Sequence, residues 1–145
     1  MNEKKILLVE DNEDDELLTL RALKNHNFAN EVDVVRDGAE ALDYMFGRGA
    51  YVDRNLLDTP QLILLDINLP KLNGIEVLKE LRKDVNSKSI PIVMLTTSKE
   101  ENDMVRSYNN GANSYIQKPV DFKEFVDVVS QLGIYWLAIN SLPKK

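Results

Sequence analysis

Five polar residues stand where they could do chemistry together. Glu10 and Asp11 end the apolar run Ile6-Leu7-Leu8-Val9. Asp66 ends Leu62-Ile63-Leu64-Leu65, Thr96 ends Pro91-Ile92-Val93-Met94-Leu95, and Lys118 ends Ser114-Tyr115-Ile116-Gln117. Three carboxylates, a hydroxyl and an ammonium suit one reaction, phosphoryl transfer to a carboxylate. Carboxylates about 4 Å apart repel by several kcal/mol at an effective dielectric near 20. A hard divalent cation removes that cost, and Mg²⁺ favours one or two carboxylates plus phosphate oxygens. The same cation shields the incoming phosphoryl group for in-line attack. Asp66 can be the nucleophile, Lys118 a mobile point charge for a phosphoryl oxygen, and Thr96 a hydroxyl donor.

Taken singly, each residue has a plainer explanation. Glu10 and Asp11 suit the N-terminus of a helix. Asp66 could cap a turn, Thr96 could be a strand-end hydroxyl, and Lys118 could be a solvated lysine. The joint pattern decides, because four complementary sites fall at the ends of four expected strands.

Those runs are the elements that must position the chemistry. A short, continuous apolar run bounded by turn residues reads as a strand buried on both faces, as in parallel sheets. Strands are expected at Lys5–Val9, Val32–Val35, around Leu62–Leu65, at Pro91–Leu95 and at Ser114–Gln117. Between them lie helical patterns. One runs to about Asn25, with Asn12 or Asp11 as its cap and Leu18, Ala22 and Leu23 on one stripe. Others are Ala39–Phe46 through Leu42, Met45 and Phe46, one from near Asn73 through Ile75, Leu78 and Leu81, and one from near Lys99 with Met104, Val105 and Tyr108. A last helix runs from about Asp121 past Trp136. Five β-α repeats imply right-handed crossovers and a parallel sheet covered on both faces. The expected fold is α/β, a doubly wound five-stranded sheet in the flavodoxin-like order 2-1-3-4-5. That order makes strands 1, 3, 4 and 5 neighbours, with the five polar residues along one crevice. The stretch Gly47–Pro60 is longer than an ordinary connection and reads as a surface insertion.

Bulk properties narrow the function. The 145 residues suffice for one domain, residues 1–145, with 43% hydrophobic and 29% charged residues. No stretch approaches the ~20 apolar residues of a membrane span. With no cysteines, disulfides and thiolate metal sites are excluded, and a cytoplasmic location is expected. A net charge of −6 argues against direct nucleic-acid binding. His26 reads as an ordinary surface residue.

The motifs Val9-Glu10-Asp11-Asn12, Leu64-Leu65-Asp66-Ile67-Asn68-Leu69-Pro70, Asn73-Gly74, Met94-Leu95-Thr96-Thr97-Ser98 and Tyr115-Ile116-Gln117-Lys118-Pro119 together resemble the response-regulator receiver domain of two-component signalling. The resemblance implies that Asp66 accepts a phosphoryl group from a sensor histidine kinase. It implies that Glu10, Asp11 and Asp66, with the main-chain carbonyl of Asn68, hold Mg²⁺. Thr96, with Thr97 beside it, and Lys118 would bind the phosphoryl group, and Tyr115 would be an aromatic switch moving with Thr96. The Lys118–Pro119 bond is expected to be cis. Glu10 stands where many members carry aspartate, and its longer arm still reaches a metal. Asn68 and Ser98 occupy positions that tune self-hydrolysis. On this reading the protein is a phosphoacceptor, not an enzyme acting on a separate substrate.

The chain is also similar to the cyanobacterial phytochrome-associated response regulators, stand-alone receivers that dimerise. The shared features are the Asp66 motif, the long loop before strand 3, and a tail with Tyr135-Trp136 and Leu142-Pro143. A phytochrome is therefore among the kinases expected. The last helix carries one apolar face, Phe122, Phe125, Val126, Val129, Leu132 and Trp136. Val128, Ile134, Tyr135, Leu137, Ile139 and Leu142 are surplus to a single stripe. A homodimer through strand 5 and residues 121–145 is expected, with Phe122, Tyr135, Trp136 and Leu142 at its interface. The alternative is a tail folded back on its own domain, with Gly133 allowing the bend. With only Leu142-Pro143-Lys144-Lys145 after the last helix, output is expected through a protein partner or a histidine phosphotransfer partner.

Other functions fit less well. A phosphorylation-independent adaptor would not need Asp66, Thr96 and Lys118 together. A flavin or nucleotide binder needs an anion-friendly loop after strand 1, where this chain has Glu10, Asp11, Glu13, Asp14 and Asp15. A haloacid-dehalogenase-type phosphatase needs a second aspartate where Asn68 stands.

Overall fold

The computed structural model describes residues 5–25, 31–97, 100–119 and 121–139. In chain order the elements are β1 (Lys5–Val9), α1 (Glu13–Asn25), β2 (Glu31–Val35), α2 (Gly38–Phe46), β3 (Leu62–Leu65) and α3 (Gly74–Lys83). They continue with β4 (Ile92–Thr96), α4 (Glu101–Asn109), β5 (Ser114–Gln117) and α5 (Phe122–Gly133), then a π-helical turn, Ile134–Ile139. The five strands form one sheet in the order β2-β1-β3-β4-β5. Every neighbouring pair is parallel, as the alternation of elements predicts.

The three central strands, β1, β3 and β4, are buried throughout because both faces are covered. Leu7, Val9, Ile63, Leu65, Ile92 and Met94 point to one core, closed by Leu42 and Met45 of α2 and Ile75, Leu78 and Leu81 of α3. Ile6, Leu8, Leu62, Leu64, Val93 and Leu95 point to the other, closed by Ala22 and Leu23 of α1 and Phe125 and Val129 of α5. Alternate residues of one strand thus serve opposite layers.

Side-chain caps start the helices. The Asn12 side chain accepts from Asp15 N at 3.0 Å, Asp37 from Glu40 N at 2.7 Å, Asn73 from Glu76 N at 3.0 Å and Asp121 from Lys123 N and Glu124 N. Each satisfies amide donors with no partner inside the helix.

Two expectations need correction, and a third gains detail. No peptide bond among the described residues is cis, so Lys118–Pro119 is trans. The isomers of an X–Pro bond differ by only about 0.5–1 kcal/mol, so the dipeptide alone does not specify one. The last helix runs past Trp136, but from Ile134 it widens to π form. The wider turn brings Leu137 into the α1/α5 core, where it is 5% exposed, although the helical stripe leaves it as surplus. The Gly47–Pro60 stretch is anchored. It holds a 3₁₀ turn at Gly49–Tyr51. Arg54 Nε donates to Tyr44 O at 2.7 Å and Nη1 to Asp58 O at 2.8 Å, with the guanidinium 4.1 Å from the centre of the Tyr44 ring. His26, Ser98, Lys99, Leu142 and the side chain of Phe122 lie outside the described residues.

Candidate functional site

Register sets the site. Val9 pairs with Leu65, so Glu10 and Asp66 leave the sheet side by side. Leu65 pairs with Met94 and Thr96 with Gln117, which places Thr96 and Lys118 at the same edge. The backbone holds each exit: Glu10 N donates to Val35 O at 3.0 Å, Asp66 N to Val9 O at 3.2 Å, and Lys118 N to Thr96 O at 2.7 Å. The loop after β3 is folded tightly behind Asp66. Gly74 N donates to Ile67 O at 2.8 Å, and a Cβ on Gly74 would lie 2.0 Å from Asp66 O. Glycine at 74 is what lets α3 begin directly against the peptide of Asp66.

Lys118 is the hub. Its Nζ donates to Glu10 Oε1 at 2.5 Å, Asp15 Oδ2 at 2.8 Å and Asp66 Oδ2 at 3.1 Å, which uses all three ammonium protons. Glu10, Asp66, Lys118 and Thr96 are all buried. The second Glu10 oxygen accepts from Asn12 N at 3.2 Å, and Asp66 Oδ1 accepts from Asn68 N at 3.3 Å. Burial pushes the Glu10 carboxyl up to about 7, although the Lys118 ammonium pulls it down. Burial also works against the Lys118 charge, but Asp66, Asp15 and Glu10 outweigh it and hold the ammonium well above the ordinary lysine range.

Carboxylate oxygens of Glu10, Asp11 and Asp66 lie within 4.8 Å of one another. Three carboxylates thus meet one ammonium, and Asp11 adds a fourth beside them. Hard oxygen donors with surplus negative charge in a buried crevice fit a divalent cation such as Mg²⁺ or Mn²⁺. Asp11, unlike Glu10 and Asp66, is exposed, so the set opens to solvent on the Asp11 side. Beside it lies a cavity of about 420 Å³ lined in part by Asn68, Asn73, Thr97 and Arg106. Thr97 is exposed at this mouth.

The structure thus brings Glu10, Asp11, Asp66, Thr96 and Lys118 to one edge. Tyr115 is half-buried on β5, packed against the α2/α3 core, and its N donates to Tyr108 Oη at 3.1 Å. Tyr135 and Trp136 lie away from the crevice, beside a groove of about 330 Å³ between β5 and α5. Reasoning on the strand ends misses Asp15. It reads as one more acid in a helix's first turn, yet it faces Lys118. The available signal is its place three residues after the Asn12 cap, since side chains of a first helical turn lean back toward the helix N-terminus.

Comparison with known proteins agrees with this geometry. Residues 6–130 match the family described as response regulator receiver domain. The probable methanogenesis regulatory protein FilR2 of Methanothrix harundinacea is 40% identical over 95% of this chain and 86% of its own. Response regulator Rcp1 of Synechocystis is 39% identical over 97% of this chain and 93% of its own. Among solved structures, the phosphorylated cyanobacterial phytochrome response regulator RcpA superposes with a TM-score of 0.92 at 42% identity, over 99% of this chain and 100% of that one. The Mn²⁺-bound form of Rcp1 gives 0.90 at 38% identity, over 97% and 99%. With strand order, register and strand-end residues all in agreement, the chain belongs to the response regulator receiver domain family.

Proposed function

We propose that this protein is a phosphorylation switch in which Asp66 accepts a phosphoryl group from a sensor histidine kinase in a Mg²⁺-dependent reaction. The observation that carries the reading is the buried Asp66 carboxylate, 3.1 Å from Lys118 and within 4.8 Å of carboxylate oxygens of Glu10 and Asp11. An Asp66 oxygen attacks phosphorus. The new P–O bond forms as the P–N bond to the donor histidine breaks, and its electron pair returns to the imidazole. Glu10, Asp11 and Asp66, with the Asn68 carbonyl, are the ligands for Mg²⁺, which when bound neutralises and orients phosphoryl oxygens. Lys118 turns from carboxylates to a phosphoryl oxygen, and Thr96 donates its hydroxyl to another, with Thr97 at the mouth.

Movement of Thr96 and Tyr115 then remodels the β4–β5–α5 surface, a local electrostatic event biasing a two-state equilibrium. Phytochrome response regulators among the relatives favour a phytochrome-type kinase as the phosphodonor, acting in the cytoplasm. Output goes to a protein or histidine phosphotransfer partner rather than to nucleic acid.

Incubation with phosphoramidate, with and without Mg²⁺, followed by intact mass, tests the reading. The expected result is a Mg²⁺-dependent phosphoryl adduct that Asp66→Ala lacks. No adduct from the unaltered protein sinks it in favour of a phosphorylation-independent adaptor.

The β5–α5 groove, lined by Ser114, Ile116, Val128, Leu132, Tyr135 and Trp136, supports a homodimer, with Phe122 and Leu142 included from the sequence pattern. Ile134 and Tyr135 are exposed beside it, and a closed two-fold pairing is the default symmetry. Trp136→Ala with Leu142→Ala should shift a dimer to monomer by size exclusion with light scattering. An unaltered protein that already runs as a monomer overturns the pairing.

A further inference from the structure

Asp15 is bound to Lys118 yet stands outside the set of acids that fits a cation. Its carboxylate accepts from Lys118 Nζ at 2.8 Å, while the clustered metal-type oxygens belong to Glu10, Asp11 and Asp66. The distinction matters because Lys118 and a divalent ion compete for the same carboxylates. Lys118 occupies Glu10 Oε1 and Asp66 Oδ2, both on residues of the metal set. An ion that draws those two carboxylates takes two of the three partners of a buried ammonium, and a buried charge left without partners is strongly disfavoured.

Asp15 is held where it can answer that loss. It sits in the first turn of α1, with its N bonded to Asn12 Oδ1 at 3.0 Å and its carbonyl accepting from the buried Thr19 hydroxyl at 2.7 Å. Its side chain is 24% exposed, against 3% for Glu10 and 7% for Asp66. It therefore loses less hydration than its neighbours in holding a charge partner.

We propose that Asp15 is a positioning residue that keeps Lys118 paired while Glu10 and Asp66 turn to the metal, and so sets how readily the ion displaces the lysine. The inference rests on the reading of Glu10, Asp11 and Asp66 as the cation ligands. Asp15 acts through Lys118 and does not itself hold the ion. Without the Asp15 charge, Lys118 clings to Glu10 and Asp66, and metal binding weakens. Through-space attraction of the ion by Asp15 would also weaken on its removal, but that loss does not depend on Lys118. A double-mutant cycle separates the two.

The experiment is a Mn²⁺ titration of the full chain, followed by electron paramagnetic resonance of the free ion, for unaltered protein, Asp15→Asn, Lys118→Ala and the double variant. Asp15→Ser repeats the first arm with a second small polar side chain. Asp15→Asn and Asp15→Ser should each bind Mn²⁺ roughly fivefold more weakly, as expected for a partly exposed charge pair. In the Lys118→Ala background the Asp15→Asn change should have almost no effect. Equal weakening in both backgrounds, or no weakening in either, overturns the role of Asp15 while leaving the cation site intact. An unaltered protein that binds no Mn²⁺ overturns the cation site and the role of Asp15 with it.

Discussion

Two lysines in this molecule are each ringed by three carboxylates, and they lie at opposite ends of the sheet. Lys118 follows the last strand and meets Glu10, Asp15 and Asp66. Lys5 opens the first strand and meets Asp58 at 2.6 Å, Asp33 at 3.6 Å and Glu31 at 3.7 Å. The lysines are similarly buried, with side chains 4% and 9% exposed. Their acids are not. Glu10 and Asp66 are nearly sealed, whereas Asp58 is 56% exposed and Glu31 46%. Around Lys5, each acid can keep its charge in water, and the cluster needs nothing further. It fastens the 47–60 loop and edge strand β2 to the start of β1, helped by Tyr44 Oη donating to Asp33 at 2.5 Å. Around Lys118 the acids are crowded and desolvated, with Asp11 adding a fourth carboxylate nearby. The same ion-pair motif is a fastener where its acids are wet, and it is suited to the proposed chemistry where two of them are buried and outnumber the cation.

The comparison can be broken most sharply at Asp66, the proposed nucleophile. Asp66→Asn should abolish the phosphoryl adduct by intact mass, while Asp58→Asn, the matching acid of the Lys5 cluster, should leave it unchanged. Next is the cation itself. Lys118→Met should slow phosphorylation by small donors by roughly 10²-fold, the scale of losing one charge donor at a transition state. The same variant should bind Mg²⁺ more tightly, since the competing ammonium is gone, as calorimetry would show. Lys5→Met should do the reverse. It should lower stability by about 1 kcal/mol, the scale of pairs with exposed acids, and leave the phosphorylation rate within about twofold of the unaltered protein. A phosphorylation defect in Lys5→Met would show that the two ends are coupled.

The smallest expected effect lies in alkaline solution. Burial and the bond to Asp33 both raise the Tyr44 phenol above its ordinary range. For Lys5, burial works against the charge, but Asp58, with the fields of Tyr44 and Asp33, raises it on balance. Both groups hold their protons more firmly folded than unfolded. Their contribution to stability is therefore complete below the unfolded values and is lost as pH climbs above them. Thermal melts should fall as pH rises past the ordinary tyrosine and lysine range, and Tyr44→Phe should make that fall shallower. An identical slope in Tyr44→Phe would remove Tyr44 from the fastening cluster.

Much of this was legible from residue order. Glu10, Asp66 and Thr96 stand at the ends of apolar runs, and a run buried on both faces announces both a strand and its end, whereas Lys118 follows the mixed, half-buried run Ser114–Gln117. The alternate residues of those runs do divide between two cores, Ile63 and Leu65 to one and Leu62 and Leu64 to the other. Other features carry no comparable signal. Asp15 is hidden among first-turn acids that suit a helix N-terminus anyway. Lys5 reads as the polar start of a strand, because its partners come from β2 and from a loop more than fifty residues on. Leu137 turns inward only because the helix widens after Gly133, which a regular helical period does not anticipate. Gly74 reads as half of an Asn-Gly turn, and only the approach of Asp66 O explains why a side chain there has no room.

Residue order alone carries the β-α alternation, the parallel sheet and the edge on which Glu10, Asp66, Thr96 and Lys118 gather. Those follow from local patterns of burial, which each short segment carries alone, and from the handedness of crossovers. Only the tertiary structure decided which acids share Lys118. That choice joins side chains 108, 103 and 52 positions apart, and it depends on how α1 and the β3 loop are seated on the sheet. Seating is set by close packing of side chains, through Ala22 and Leu23 on one face and Gly74 on the other. Its distances are matters of an ångström, a scale at which a pattern of apolar and polar positions is silent.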